Sequence, residues 1–177
     1  MESTVCIAFM EILNRPFGLI IAYLLPGFVA LVGIAPLVPT VAGWLKPVDQ
    51  GVGVGPPVYA LLAAIAIGMV ASCFRWLLID RIHALTGVGP PVFNARALEA
   101  RPSAFTYLVE NHYRYYQFYA NTLVAVVFAY AIRRLLRTSS FLTFGTDLGV
   151  LILCAVLFAG SRDALTKYRN RSEQLVG

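Results

Sequence analysis

Long apolar runs broken by short clusters of polar residues, proline and glycine dominate this chain. Four runs are long enough to cross about 30 Å of hydrocarbon, which takes about 20 helical residues. They are residues 17–38, 57–80, 117–136 and 142–161. The first, "FGLIIAYLLPGFVALVGIAPLV", carries Pro26-Gly27 at its centre, where a kink is expected. The second opens on Pro57, a residue suited to a helix start. Thr146 or Asp147 is a candidate cap for the fourth.

The helical pattern outruns the bilayer. Run two continues as "RWLLIDRIHAL" up to Thr86-Gly87, a helix stop. Pro102-Ser103 opens a pattern that passes unbroken through Arg137, and the last run continues through "SRDALTKYRNRSEQL". The predicted fold is therefore all-α, a polytopic membrane protein of four transmembrane helices whose extensions form a small cytoplasmic cap. It is one membrane domain over 1–177, with 1–15 a surface amphipathic segment, 81–116 a cytoplasmic connection and 162–177 a basic tail. "GVGPPV" occurs at 53–58 and 87–92, read as two uses of one turn-and-helix-start solution.

Composition agrees with a membrane protein: 59% of the 177 residues are hydrophobic and 13% charged, against about 25% charged in soluble domains. Glu2 and Glu11 precede the first basic residue, Arg15, so no cleaved secretory signal is expected. Cys6, Cys73 and Cys154 form no CxxC and read as small packing residues.

The net charge of +5 raises nucleic acid as a partner, but no basic reading element is present, and arginine-rich loops are the signature of a cytoplasmic membrane face. Four spans put Arg15, Arg81, Arg96, Arg101, Arg114, Arg162, Lys167, Arg169 and Arg171 on one side, with Arg75 near its edge. Lys46, Arg133, Arg134 and Arg137 fall on the other. The balance places both termini in the cytoplasm, in an inner membrane of bacterial type, although the Arg133–Arg137 cluster opposes it.

The stretch "ENHYRYYQFYANT" looks at first like a base-stacking platform. At 100° per residue its aromatics scatter around the helix, whereas a platform needs one face. Tyrosines on every side suit the headgroup layer, with rings in lipid or protein and hydroxyls in water.

The same boundary collects the candidate chemistry. Asp80, His83, Glu110 and His112 are the proton-handling candidates, and Arg75, Arg81, Arg114, Arg162 and Asp163 the binding candidates. Ionisable groups near lipid are costly unless paired, so they form either a salt-bridged collar or a site. Asp80 and His83 share a face at i, i+3, but one such pair and two histidines make a poor metal site. No metal or cofactor is expected. Ser161 and Ser72 have no histidine nearby in the chain, so spacing does not support a catalytic serine.

Ala60, Ala64, Gly68 and Ser72 recur every four residues as a small-residue face for close helix packing, within the chain or between chains. Asn121 is placed to hydrogen-bond across helices. The expected function is a homo-oligomeric membrane assembly, either a pore or a scaffold for a soluble cytoplasmic partner. The alternatives are a membrane-interface enzyme acting on lipid or isoprenoid phosphate head groups, and an accessory subunit without activity.

Overall fold

The structure, a computed structural model, describes residues 18, 20–46, 54–89, 102–136 and 144–176. The amphipathic segment expected over 1–15, the second "GVGPPV" beyond Gly89, and Arg15, Arg96, Arg101 and Arg137 lie outside them. The described residues are all helical or in short turns, with no strand. Five helices follow one another: α1 (Ile20–Ile34), α2 (Pro39–Trp44), α3 (Gly55–Leu85), α4 (Pro102–Leu135) and α5 (Phe144–Val176).

Three helices are long and apolar enough to cross a membrane: α3, the Thr106–Leu135 part of α4, and the Phe144–Gln174 part of α5. With 31 and 33 residues, α3 and α5 are about 46 and 50 Å long at about 1.5 Å per residue. Both exceed the hydrocarbon thickness of about 30 Å.

The run expected over 17–38 is a shorter object. Its five π-helical and ten α-helical residues reach only about 22 Å. Pro36 follows just past the helix end, where the N–H groups of Leu37 and Val38 both turn back to the carbonyl of Ile34. Val38, directly before Pro39, is extended, and Pro39 starts α2.

At the centre of α1, the expected disturbance at Pro26 takes the form of a π turn over Ile20–Leu24. In an α-helix the Ala22 carbonyl would face the N–H of residue 26, and proline has none. Asn121 Nδ2 of α4 donates to Ala22 O at 2.8 Å and supplies the missing bond. A second π turn, Val109–Tyr113, lies within α4 between Pro102–Leu108 and Arg114–Leu135. Asp147, a candidate cap for α5, instead accepts from Tyr130 at 2.7 Å and pairs with Arg134, closing the α4–α5 hairpin.

Packing fixes the helix directions. A Cβ on Gly27 would run into the Ala64 carbonyl, and one on Gly68 into the Tyr23 carbonyl, so α1 and α3 cross antiparallel at backbone contact. Gly33 meets Ala129 and Ala22 meets Asn121, so α1 and α4 run parallel. Contacts from Tyr130–Asp147 to Tyr113–Tyr168 set α5 antiparallel to α4. Gly18, the end of α3, the start of α4 and the last turns of α5 thus gather at one end of the bundle, called here the polar end.

The buried stripe of α3 runs Ala60, Ala64, Gly68, Ala71, Arg75, Ile79 and His83. Ala71 rather than Ser72 continues it, because each step of four residues advances about 40° around a helix of 3.6 residues per turn. A three-residue step brings the face back. Over Ala60–Gly68 the partner of this face is α1 of the same chain.

Helix α3 stops where Thr86-Gly87 was expected to stop it. Gly87 has φ +92, and the N–H groups of Gly87 and Val88 bond the carbonyls of Ala84 and His83. This is a Schellman turn, with Val88 buried behind it.

Candidate functional site

The polar end is built from side chains that α3, α4 and α5 bring together from distant parts of the chain. Arg75 is 5% exposed. Its guanidinium carbon lies 5.2 Å from the centre of the Tyr116 ring and 6.0 Å from that of Tyr113. Its Nε is 3.7 Å from Asp80 Oδ1, a charge contact beyond hydrogen-bond reach. That carboxylate oxygen is taken by the Tyr116 hydroxyl, which donates to it. Arg75 Nε and Nη1 consequently have no hydrogen-bond partner.

One helical turn beyond Asp80, His83 is fully buried beside Ser161 of α5, with Nε2 3.0 Å from the serine Oγ. The Phe158 ring stacks on the imidazole, with centroids 4.9 Å apart, and Tyr116 meets it edge-on at 6.0 Å. Ser161 Oγ donates to Phe158 O at 2.8 Å, and His83 Nδ1 has no partner. One protonation pattern satisfies most of these atoms: Nε2–H donates to Ser161, and Nδ1 is a bare acceptor. The serine proton is then directed at a carbonyl and away from the imidazole. A nucleophile activated by its base requires the reverse.

Arg162 and Arg169 reach back from α5 to the end of α3. Arg162 donates to Thr86 O at 2.9 Å and to the Thr86 hydroxyl, and Arg169 donates to Gly87 O at 3.1 Å. Carbonyls at a helix C-terminus are unsatisfied within the helix, and cations complement their partial charge.

The remaining candidates separate. His112 accepts from Arg171 Nη1 at 2.7 Å through Nε2, because arginine has no acceptor. Asp163 pairs with Lys167 at 2.7 Å along α5, and Arg81 faces outward. Glu110 is half-buried in the second π turn with no ion pair among the described residues. Arg114 packs against Gly18, and its buried Nε is unpaired.

Asp80 and His83 share a helix face as expected, yet they serve different partners. No group of three or more His, Cys, Asp or Glu suited to a metal occurs among the described residues. Cys73 faces outward and Cys154 is half-buried. The aromatic stretch divides: Tyr113 and Tyr116 line the arginine and histidine sites, while Tyr107 and Tyr115 point outward.

Spacing along the chain did not reveal Ser161, Thr86, Arg169 and Phe158 as partners. Their one local signal is the Thr86-Gly87 stop, which marks carbonyls in need of donors. No family model matches this chain, and no curated protein or solved structure is found to be similar to it.

Proposed function

We propose that this is a multi-pass protein of a bacterial-type cytoplasmic membrane that works as a scaffold, presenting a rigid cationic helical head at the cytoplasmic face to an acidic soluble partner. The observation that supports this most directly is the overhang of α3 and α5. They exceed the hydrocarbon layer by about 16 to 20 Å, and their ends are locked together through His83–Ser161, Arg162–Thr86 and Arg169–Gly87. Arg81, Lys167 and Arg171 stand on the outside of that head. In this reading α1 completes a fourth, shortened pass, and positive charge puts both termini inside.

No geometric observation favours the enzyme alternative. His83 and His112 are each tied to a partner, and Asp80 is tied to Tyr116. Self-association would use the outward apolar faces of α3 and α5, such as Leu62, Met69, Leu151 and Val156, since α1 covers the small-residue face. Tyr116, Gln117, Ala120 and Asn121 fill the middle of the bundle, so conduction would fall to an oligomer.

Photo-crosslinking tests the scaffold reading. Probes at Arg81, Lys167 and Arg171 are expected to trap one acidic soluble protein, and probes at Leu62 and Leu151 to trap lipid or a second copy. Lipid adducts alone at all five positions would overturn it. Native mass spectrometry in mild detergent gives the copy number independently.

A further inference from the structure

Arg75 has two buried guanidinium nitrogens without a hydrogen-bond partner, and it lies on the wall of a groove. The groove, of about 920 Å³, runs between α1 and α3. Ile20, Leu24, Ile65, Met69, Trp76 and Leu77 give it an apolar lining, with Arg75, Tyr23 and Ser72 also on the wall. Counted from Pro57, Arg75 is about 27 Å along the helix, where a hydrocarbon layer of about 30 Å ends. Trp76 beside it is 61% exposed, as suits an aromatic at the headgroup level.

We propose that this groove is a binding site for an anionic phospholipid, with Arg75 holding the phosphodiester and the apolar walls receiving an acyl chain. The proposal is independent of the scaffold reading.

Three observations carry it. Arg75 lines the groove although only 5% of it is exposed, and its enclosed Nε and Nη1 have no hydrogen-bond partner, whereas buried charges ordinarily find hydrogen-bonding partners. Its one carboxylate neighbour stands off at 3.7 Å and is engaged by Tyr116. The walls are apolar along the membrane-facing length, so an anion here gains affinity from a hydrocarbon tail. Guanidinium is the side chain best suited to phosphate oxygens. The positive amine of a zwitterionic head group would oppose Arg75, which favours a net-negative lipid.

Asp80 then acts as an internal competitor. Its charge offsets that of Arg75, and the same Oδ1 that stands nearest the guanidinium accepts from Tyr116.

Native mass spectrometry of the full chain in mild detergent, titrated with phosphatidylglycerol or phosphatidylcholine of equal chain length, tests the site. The wild type is expected to bind phosphatidylglycerol about tenfold more tightly, the scale of one charge-assisted contact. Arg75→Gln should bring that ratio close to one, and Met69→Trp should weaken both lipids by filling the groove. Asp80→Asn still accepts from Tyr116 and should tighten phosphatidylglycerol severalfold.

Equal binding of the two lipids by the wild type would overturn the proposal. So would a selectivity that survives Arg75→Gln, or a loss of affinity in Asp80→Asn, which would make Arg75 merely the partner of Asp80. Inorganic phosphate that displaced the lipid at millimolar levels would mark a free-phosphate site and defeat the lipid assignment. Unchanged helicity and elution volume establish that each variant is folded.

Discussion

His83 Nε2 and Ser161 Oγ lie 3.0 Å apart across the bundle, from positions 78 residues apart in the chain. Both side chains are fully buried, so each is the other's replacement for water.

Ser161→Ala strands the imidazole N–H in a site that water does not reach. A buried donor left without a partner costs about 1–3 kcal/mol, so the thermal midpoint in detergent should fall clearly. Adding His83→Phe should recover most of the loss, because an apolar ring can stack on Phe158 with nothing left unpaired. A double variant no better than Ser161→Ala would show that the pair does more than join α3 to α5.

Gly27→Ala and Gly68→Ala should each push α1 away from α3, since the new methyl meets the backbone of the other helix. Overpacking of this kind costs about 1–3 kcal/mol. Gly43, in α2, has open space where a Cβ would be placed. Gly43→Ala should therefore be neutral or stabilise by up to about 1 kcal/mol. Melting curves of the three variants in one detergent decide the matter, and equal shifts would refute the close crossing.

Asn121→Leu removes the donor that serves the Ala22 carbonyl beside Pro26. Interhelical polar contacts in membrane bundles contribute about 0.6–2 kcal/mol, and a loss in that range is expected. Pro26→Ala restores an N–H in α1, and in that background the same substitution should cost less. Equal costs in the two backgrounds would separate Asn121 from the proline.

Membrane-impermeant maleimide applied to a cysteine-free background reports the directions of the helices. Cysteines introduced at Arg81 and Gln174 should label from the same side of the membrane, and one at Lys46 from the opposite side. An amino-terminal tag protected together with Gln174 would show that α1 crosses despite its length. A tag accessible with Lys46 would leave only α3, α4 and α5 as spans.

The long helices were legible because their causes are local. An apolar run needs no partner to be recognised, and Thr86-Gly87 carries its own stop chemistry, realised in the positive φ of Gly87. The end of α1 at Ile34 was harder to see. Hydropathy stays high through Leu37 and Val38, and the break depends on Pro36 and Pro39 acting together.

The shift from Ser72 to Ala71 reflects the mismatch between a four-residue repeat and a helix of 3.6 residues per turn. The pairing of the candidate residues was not legible at all. Arg75, Asp80 and Tyr116, or His83 and Ser161, meet through tertiary packing that no spacing along one helix encodes.

Synthesis order gives the arginines of α5 a further meaning. Until α5 has been translated and docked, the end of α3 lacks the donors of Arg162 and Arg169, and His83 lacks Ser161. A nascent chain halted in the α4–α5 hairpin thus carries exposed carbonyls and an unpaired imidazole at its polar end. Helix α5 is thus a latch on α3: residues made later in the chain complete the end of a helix made earlier.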